Sequence, residues 1–279
     1  MGNNYIKENQ QVSAPISGDD LKRYFKKEDA ICKLITGLGT GFFCETKIKN
    51  KKMKFLFTCN HVLDEQKIKI GSKIQILHKN ETKNIKIKNN TFVCTNEELD
   101  YTCIEIFDNE NFNNYFKIDP EINCNDPNKE YKDDKLVIIQ YPGNNNVSYA
   151  EGKIIEINDN LLIKHSVSTL HGSSGSPIIL SNRNLNIIGI HQGRMEIYNR
   201  GVYIKNVLDD IEKQYLNKKT NLGIKKENIK IILFGDSGVG KTSIINQFVN
   251  GGFNDETLMT ITQYKLIKEI KLLNEKKLN

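Results

Sequence analysis

The sequence predicts an all-β body, a sandwich or barrel, followed by a strand–loop–helix segment of α/β type. Three observations carry this. Short β-type runs bounded by Gly, Asn and Lys clusters recur from Ile31 to Ile204. Helical periodicity enters only after that span, in Val207–Tyr215. Near residue 228 the pattern changes to an unbroken apolar run, Ile229–Phe234, of the buried parallel-strand kind.

Residues 1 to about 25 are polar and predict a loose arm with a short helix. Seven runs follow: Ile31–Ile35, Gly41–Glu45, Lys54–Thr58, Lys73–Leu77, Asn84–Lys88, Phe92–Cys94 and Tyr101–Ile106. A polar stretch, Asp108–Asp134, reads as a long loop between two halves. Six more runs come next: Leu136–Gln140, Lys153–Ile157, Leu161–Lys164, Pro177–Leu180, Leu185–Ile190 and Gly201–Ile204. After the helical stretch a polar linker reaches Asn228. The expected domains are an arm over 1–27, a body over 28–216, a linker over 217–228 and an α/β segment over 229–279.

Composition excludes several classes. Hydrophobic residues make up 38% and charged residues 27%, which fits neither disorder nor a fibrous chain. No apolar run approaches the roughly 20 residues of a membrane span. The formal charge is +6, but 36 of the 40 basic residues are Lys, scattered among acidic neighbours. Nucleic-acid readers use Arg for bidentate contacts, so no nucleic-acid partner is expected. The N-terminus lacks the apolar core of a secretory signal, which predicts a cytoplasmic, reducing compartment and six free cysteines. No CxxC pair suggests zinc.

Chemistry concentrates in three places. Gly172-Ser173-Ser174-Gly175-Ser176-Pro177 lies between two strand runs, and glycines on both sides of Ser174 permit a tight turn with free backbone N–H groups. His61 follows the apolar run ending at Thr58, and Asp100 opens the run beginning at Tyr101. Together with Gly39-Thr40-Gly41-Phe42, these motifs resemble the chymotrypsin-like (PA clan) serine peptidases over about residues 28–216. The resemblance implies a double six-stranded barrel with a C-terminal helix. It implies Ser174 as nucleophile, His61 as general base and then acid, and Asp100 as the group orienting the imidazole. Backbone N–H groups of Gly172 and Ser174 would form the oxyanion hole.

Two departures refine this. Val62 stands where secreted relatives carry a Cys, and Ser173 stands where trypsin-like zymogens carry an activating Asp. The chain looks closer to the glutamyl endopeptidase branch. There the residues matching Thr169 and His191 line the S1 pocket, so cleavage after Glu or Gln is expected. His165 carries no usable pattern.

Gly235-Asp236-Ser237-Gly238-Val239-Gly240-Lys241-Thr242-Ser243 is a full P-loop motif between an apolar strand and a helix. The wording from Gly235 to Asn250 resembles Rab/Ras-like small GTPases. By that resemblance Lys241 reaches phosphate oxygens, Thr242 binds Mg²⁺, Phe253 lies against guanine and Thr260 is the switch-I threonine. The chain given stops at Asn279, without a later Asp-x-x-Gly or Asn-Lys-x-Asp. The expectation is therefore a segment that neither completes a G domain nor hydrolyses GTP, with GTP/GDP and Mg²⁺ binding doubtful. Proteolysis itself needs no cofactor, and its partner is a protein or peptide substrate. The second reading is a nucleotide-regulated switch protein whose protease-like domain is an output or binding module.

Overall fold

A computed structural model describes residues 15–144, 146–223, 236 and 238–250. The chain divides into two compact units, Met1–Tyr215 and Leu216–Asn279.

The first unit opens with helix α1 (Gly18–Glu28), capped by the Ser17 hydroxyl, which accepts the Asp20 N–H. α1 buries Tyr24 completely, and the Tyr24 hydroxyl donates to Glu151 at 2.5 Å. Seven strands follow: β1 (Ile31–Leu34), β2 (Gly39–Ile48), β3 (Lys51–Thr58), β4 (Lys73–His78), β5 (Glu81–Lys86), β6 (Val93–Asn96) and β7 (Tyr101–Glu105). They pair in the order β5-β4-β1-β2-β3-β7-β6. The expected first six-stranded barrel is thus an open sheet of seven strands, one for each apolar run in the sequence. β5 exposes Glu81, Thr82 and Lys86 and has a single pairing partner, β4, so its free edge is blunted by charge.

The polar stretch after β7 holds two 3-10 turns and the short helix α2 (Pro127–Tyr131). The second half is a closed barrel of β8 (Lys135–Gln140), β9 (Ser148–Ile157), β10 (Leu162–His165), β11 (Pro177–Leu180), β12 (Ile187–Arg194) and β13 (Asn199–Tyr203). Its order is β10-β13-β12-β11-β8-β9, and all pairs are antiparallel. β8 and β11 read as unbroken apolar runs because nearly every residue in them is buried.

Helix α3 (Ile204–Gly223) follows directly on β13 and extends past the periodic stretch ending at Tyr215. It buries Ile204, Val207 and Ile211, and Tyr215 meets Phe92 edge-on at 5.3 Å between ring centroids. In the second unit, helix α4 (Lys241–Asn250) begins within the P-loop motif. Among the described residues no helix is long and apolar enough to cross a membrane.

Candidate active site

β3 ends at Thr58, and the chain turns at once. The N–H groups of Val62 and Leu63 return to the Cys59 carbonyl. The turn leaves the His61 side chain half exposed. Asp100 is the last of the four residues that join β6 to β7. Its backbone is left-handed, with φ 47°, a conformation that a short polar side chain tolerates.

The Asp100 carboxylate holds His61 at two atoms. Its oxygens lie 2.9 and 3.0 Å from the imidazole Nδ1, and Oδ1 also accepts the His61 backbone N–H at 3.0 Å. A carboxylate only accepts, so Nδ1 carries the proton and the neutral ring keeps its lone pair on Nε2.

Ser174 sits on a braced turn. The Ser173 N–H donates to the Leu170 carbonyl at 3.1 Å, and Gly172 has φ 92°. These are the marks of a type II turn, which places glycine at its third position. The His171 carbonyl accepts the Gly143 N–H at 2.6 Å. The peptide is trans, so the Gly172 N–H points away from that carbonyl and from Gly143. Buried Ser173 stiffens the loop. Its hydroxyl accepts the Leu170 N–H, and its carbonyl receives the Ser176 hydroxyl at 2.7 Å.

Glycines let the two halves close on this loop. A Cβ at Gly175, where φ is 88°, would lie 2.2 Å from both the Thr40 carbonyl and the Thr58 hydroxyl. A Cβ at Gly39 would fall 2.7 Å from the Val62 methyls and 3.1 Å from the Ser174 carbonyl. Gly39 therefore touches both the neighbour of His61 and the backbone of Ser174. Thr40 completes the join: its N–H donates to the Ser174 carbonyl and its hydroxyl to the Gly172 carbonyl, both at 2.9 Å.

The Ser174 hydroxyl donates to the Gln192 carbonyl at 2.9 Å rather than to His61. Gln192 in turn donates through Nε2 to the Leu99 carbonyl, one residue before Asp100. Free sites commonly hold such bonds loosely until substrate arrives.

Behind Ser174 lies a buried polar cluster. His191 Nδ1 is 3.2 Å from His165 Nε2, and both rings are almost fully buried. Burial pushes His191 down to about 3, against a hydrogen bond to the Arg200 backbone that works the other way. Burial also holds His165 well below the usual range, and the neighbouring His191 adds to that. The pair is neutral. Thr169 donates its hydroxyl to Asn199 Oδ1 at 2.9 Å, and Asn199 donates to the Val167 carbonyl. His165 and Asn199 face each other across β10 and β13. The alternation of Ile163 and His165 on the buried face of β10 was the sequence signal that turned His165 inward.

Cys59 Sγ, a His61 ring nitrogen and an Asp100 oxygen lie within 4.8 Å of one another. This donor set does not favour a metal. Burial, reinforced by the Asp100 charge, pushes the Cys59 thiol well up, and its Sγ donates to the His191 carbonyl at 3.2 Å. Cys32, Cys44, Cys94 and Cys103 are buried free thiols, as the strand pattern predicts, and Cys124 is partly buried.

In the P-loop motif, Gly238 and Gly240 take φ of 83° and 85°, and α4 starts at Lys241, so Lys241, Thr242 and Ser243 form its first turn. Lys241 Nζ donates to the Asp236 carbonyl at 2.5 Å. Gly235, Phe253, Thr260 and the expected strand Ile229–Phe234 lie outside the described residues.

Comparison with known proteins agrees with both parts. The trypsin-like peptidase domain family matches residues 39–190, and the Roc (Ras of Complex) domain of DAPkinase matches residues 230–279. The fold is similar to a serine endoprotease from Yersinia pestis, with TM-score 0.55 and 15% identity, over 74% of this chain and 69% of that one. It is also similar to an inactive form of the Rv3671c protease of M. tuberculosis H37Rv, with TM-score 0.53 and 13% identity, over 74% and 97% of the two chains. The Ypt/Rab-type GTPase ypt7 of Schizosaccharomyces pombe is 50% identical over 48 residues, 17% of this chain and 23% of that protein. Rab-7b of Paramecium octaurelia is 46% identical over the same shares. The chain spans less than a quarter of the length of these curated relatives. With more than half of its residues matched and the two-sheet fold in place, the chain belongs to the trypsin-like peptidase domain family.

Proposed function

We propose that this chain is a serine endopeptidase acting through Ser174, His61 and Asp100. The observation that carries the reading is the doubly held His61–Asp100 pair, with oxygens 2.9 and 3.0 Å from Nδ1, on an edge packed against the Ser174 turn. His61 Nε2 takes the Ser174 proton as the hydroxyl attacks the substrate carbonyl. It then returns that proton to the leaving amine, and water repeats the cycle to release the acyl group. The Gly172 and Ser174 N–H groups bind the oxyanion. Catalysis requires the Ser174 hydroxyl to swing from the Gln192 carbonyl to His61. The local bracing by Ser173 supports a turn that forms without a charged partner from a freed N-terminus.

For specificity we propose that Thr169 and His191 form the base of the S1 pocket. His191 and Thr169 present polar groups without formal charge, and the Thr169 oxygen, its proton committed to Asn199, offers an acceptor. That combination suits the side-chain amide of Gln better than the carboxylate of Glu, which would enter without a countercharge. For the P-loop segment we propose at most weak phosphate contact through the first turn of α4 and Lys241.

A fluorophosphonate probe tests the reading. Wild type is expected to be labelled and Ser174→Ala to remain unlabelled. A folded wild type that stays unlabelled would remove the peptidase assignment.

A further inference from the structure

The loop that carries Asp100 is tied down by a helix at the far end of the peptidase sequence. Four residues, 97–100, connect β6 to β7, and the pair Asn96–Tyr101 closes that loop. Asn96 Nδ2 donates to Asp210 Oδ2 at 3.0 Å, and the Tyr101 hydroxyl donates to the same oxygen at 2.6 Å. Gln214, one turn further along α3, adds a third donor at 2.9 Å and also reaches the Thr95 carbonyl. Asp210 therefore grips both feet of the loop.

Inside the loop, Asn96 Oδ1 accepts the Leu99 N–H at 2.9 Å, and the Asp100 N–H returns to the Glu97 carbonyl. These bonds hold Asp100 in its left-handed conformation, which a residue with a Cβ leaves readily when support is lost. Burial, with the charges of nearby groups, holds the Tyr101 hydroxyl in its protonated form, so it remains a donor to Asp210. Cys94 Sγ sits 2.9 Å from the same hydroxyl and fills its accepting side. α3 is itself anchored by buried Val207 and Ile211 and by the Lys49–Glu212 ion pair at 2.6 Å.

We propose that Asp210 is a positioning residue for the reaction: through Tyr101 and Asn96 it sets the loop geometry that aims the Asp100 carboxylate at His61. The inference rests on the triad reading given above. Displacement of a catalytic group by about an ångström is enough to cost on the order of 10²-fold, so loosening one anchor is set to cost about tenfold.

The test uses the full chain with Asp210→Asn, Asp210→Ala and Tyr101→Phe, alone and combined with Asp100→Asn. Asp210→Ala is expected to lower kcat about tenfold with KM within about twofold, and Tyr101→Phe about threefold. The proton NMR signal of His61 Nδ1–H should weaken or move in both. On an Asp100→Asn background neither change should lower kcat further, because the group being aimed is already gone. Equal losses on both backgrounds, or wild-type kcat with an unmoved His61 signal, would overturn the proposal. If Asp210→Ala does not fold, Tyr101→Phe and Asp210→Asn carry the same outcomes. An inert but folded wild type would instead sink the peptidase reading, and the His61 signal would still decide whether Asp210 positions Asp100.

Discussion

The molecule contains two histidine pairings that differ in exposure and in partner. His61, on the open seven-stranded sheet, is half exposed and has a carboxylate on Nδ1. His191, in the closed barrel, is buried and has a second histidine on Nδ1. A carboxylate partner stabilises an imidazolium as it forms, which suits a proton carrier. A buried neutral partner penalises any charge and leaves only hydrogen-bonding capacity, which suits a selector of polar side chains. The folds around them match these tasks. The loop after β3 leaves His61 half exposed, whereas the barrel buries both members of its pair.

The comparison can be broken at either end. The largest effect is expected at the exposed pair. Asp100→Asn or His61→Ala should lower kcat/KM by about 10⁴-fold or more, measured with a peptide reporter. A loss below about tenfold would mean that the pair carries no proton. Next comes the buried pair. His191→Leu should cut cleavage after Gln by about 10²-fold while raising cleavage after apolar residues. Unchanged preference across Gln, Glu, Leu and Lys reporters would remove His191 from the pocket.

The buried pair also predicts an acid weakness. The folded value of His191 is about 3 against an ordinary 6.5, so the unfolded chain binds more protons between those limits. The contribution is complete above about pH 6.5 and is lost as pH falls towards the folded value. At pH 5 the loss from His191 alone is about 2 kcal/mol. Urea unfolding should therefore weaken between pH 7 and 5 in wild type and weaken less in His191→Leu. Parallel profiles would contradict burial as a neutral imidazole. The smallest effect concerns the P-loop. GDP with Mg²⁺ should bind the 279-residue chain at about 1 mM or weaker by calorimetry, with Lys241→Ala removing the residual heat. Submicromolar binding would favour the nucleotide-switch reading.

The sequence made the strands legible because each is a short apolar run between polar turns. Pro177–Leu180 matches β11 in full, and Tyr101 marks the start of β7. His61, Asp100 and Ser174 were legible because each lies beside such a run, in a distinctive local motif. The second half closes into the six-stranded barrel that the resemblance implied, but the open edge of the first half was not legible. Closure depends on which edge strands find each other, and β5 and β6 each pair on one side only. His165, Asn199 and Asp210 were hidden for a related reason. Each acts through a partner distant in the chain, and local pattern at most sets which face it takes, as the alternation with Ile163 does for His165.

The most direct test is stoichiometric fluorophosphonate labelling followed by mass spectrometry of the peptide containing residues 168–183. The account predicts a single adduct on Ser174, formed by wild type and lost in His61→Ala. An adduct on another residue, or labelling that persists without His61, would contradict it.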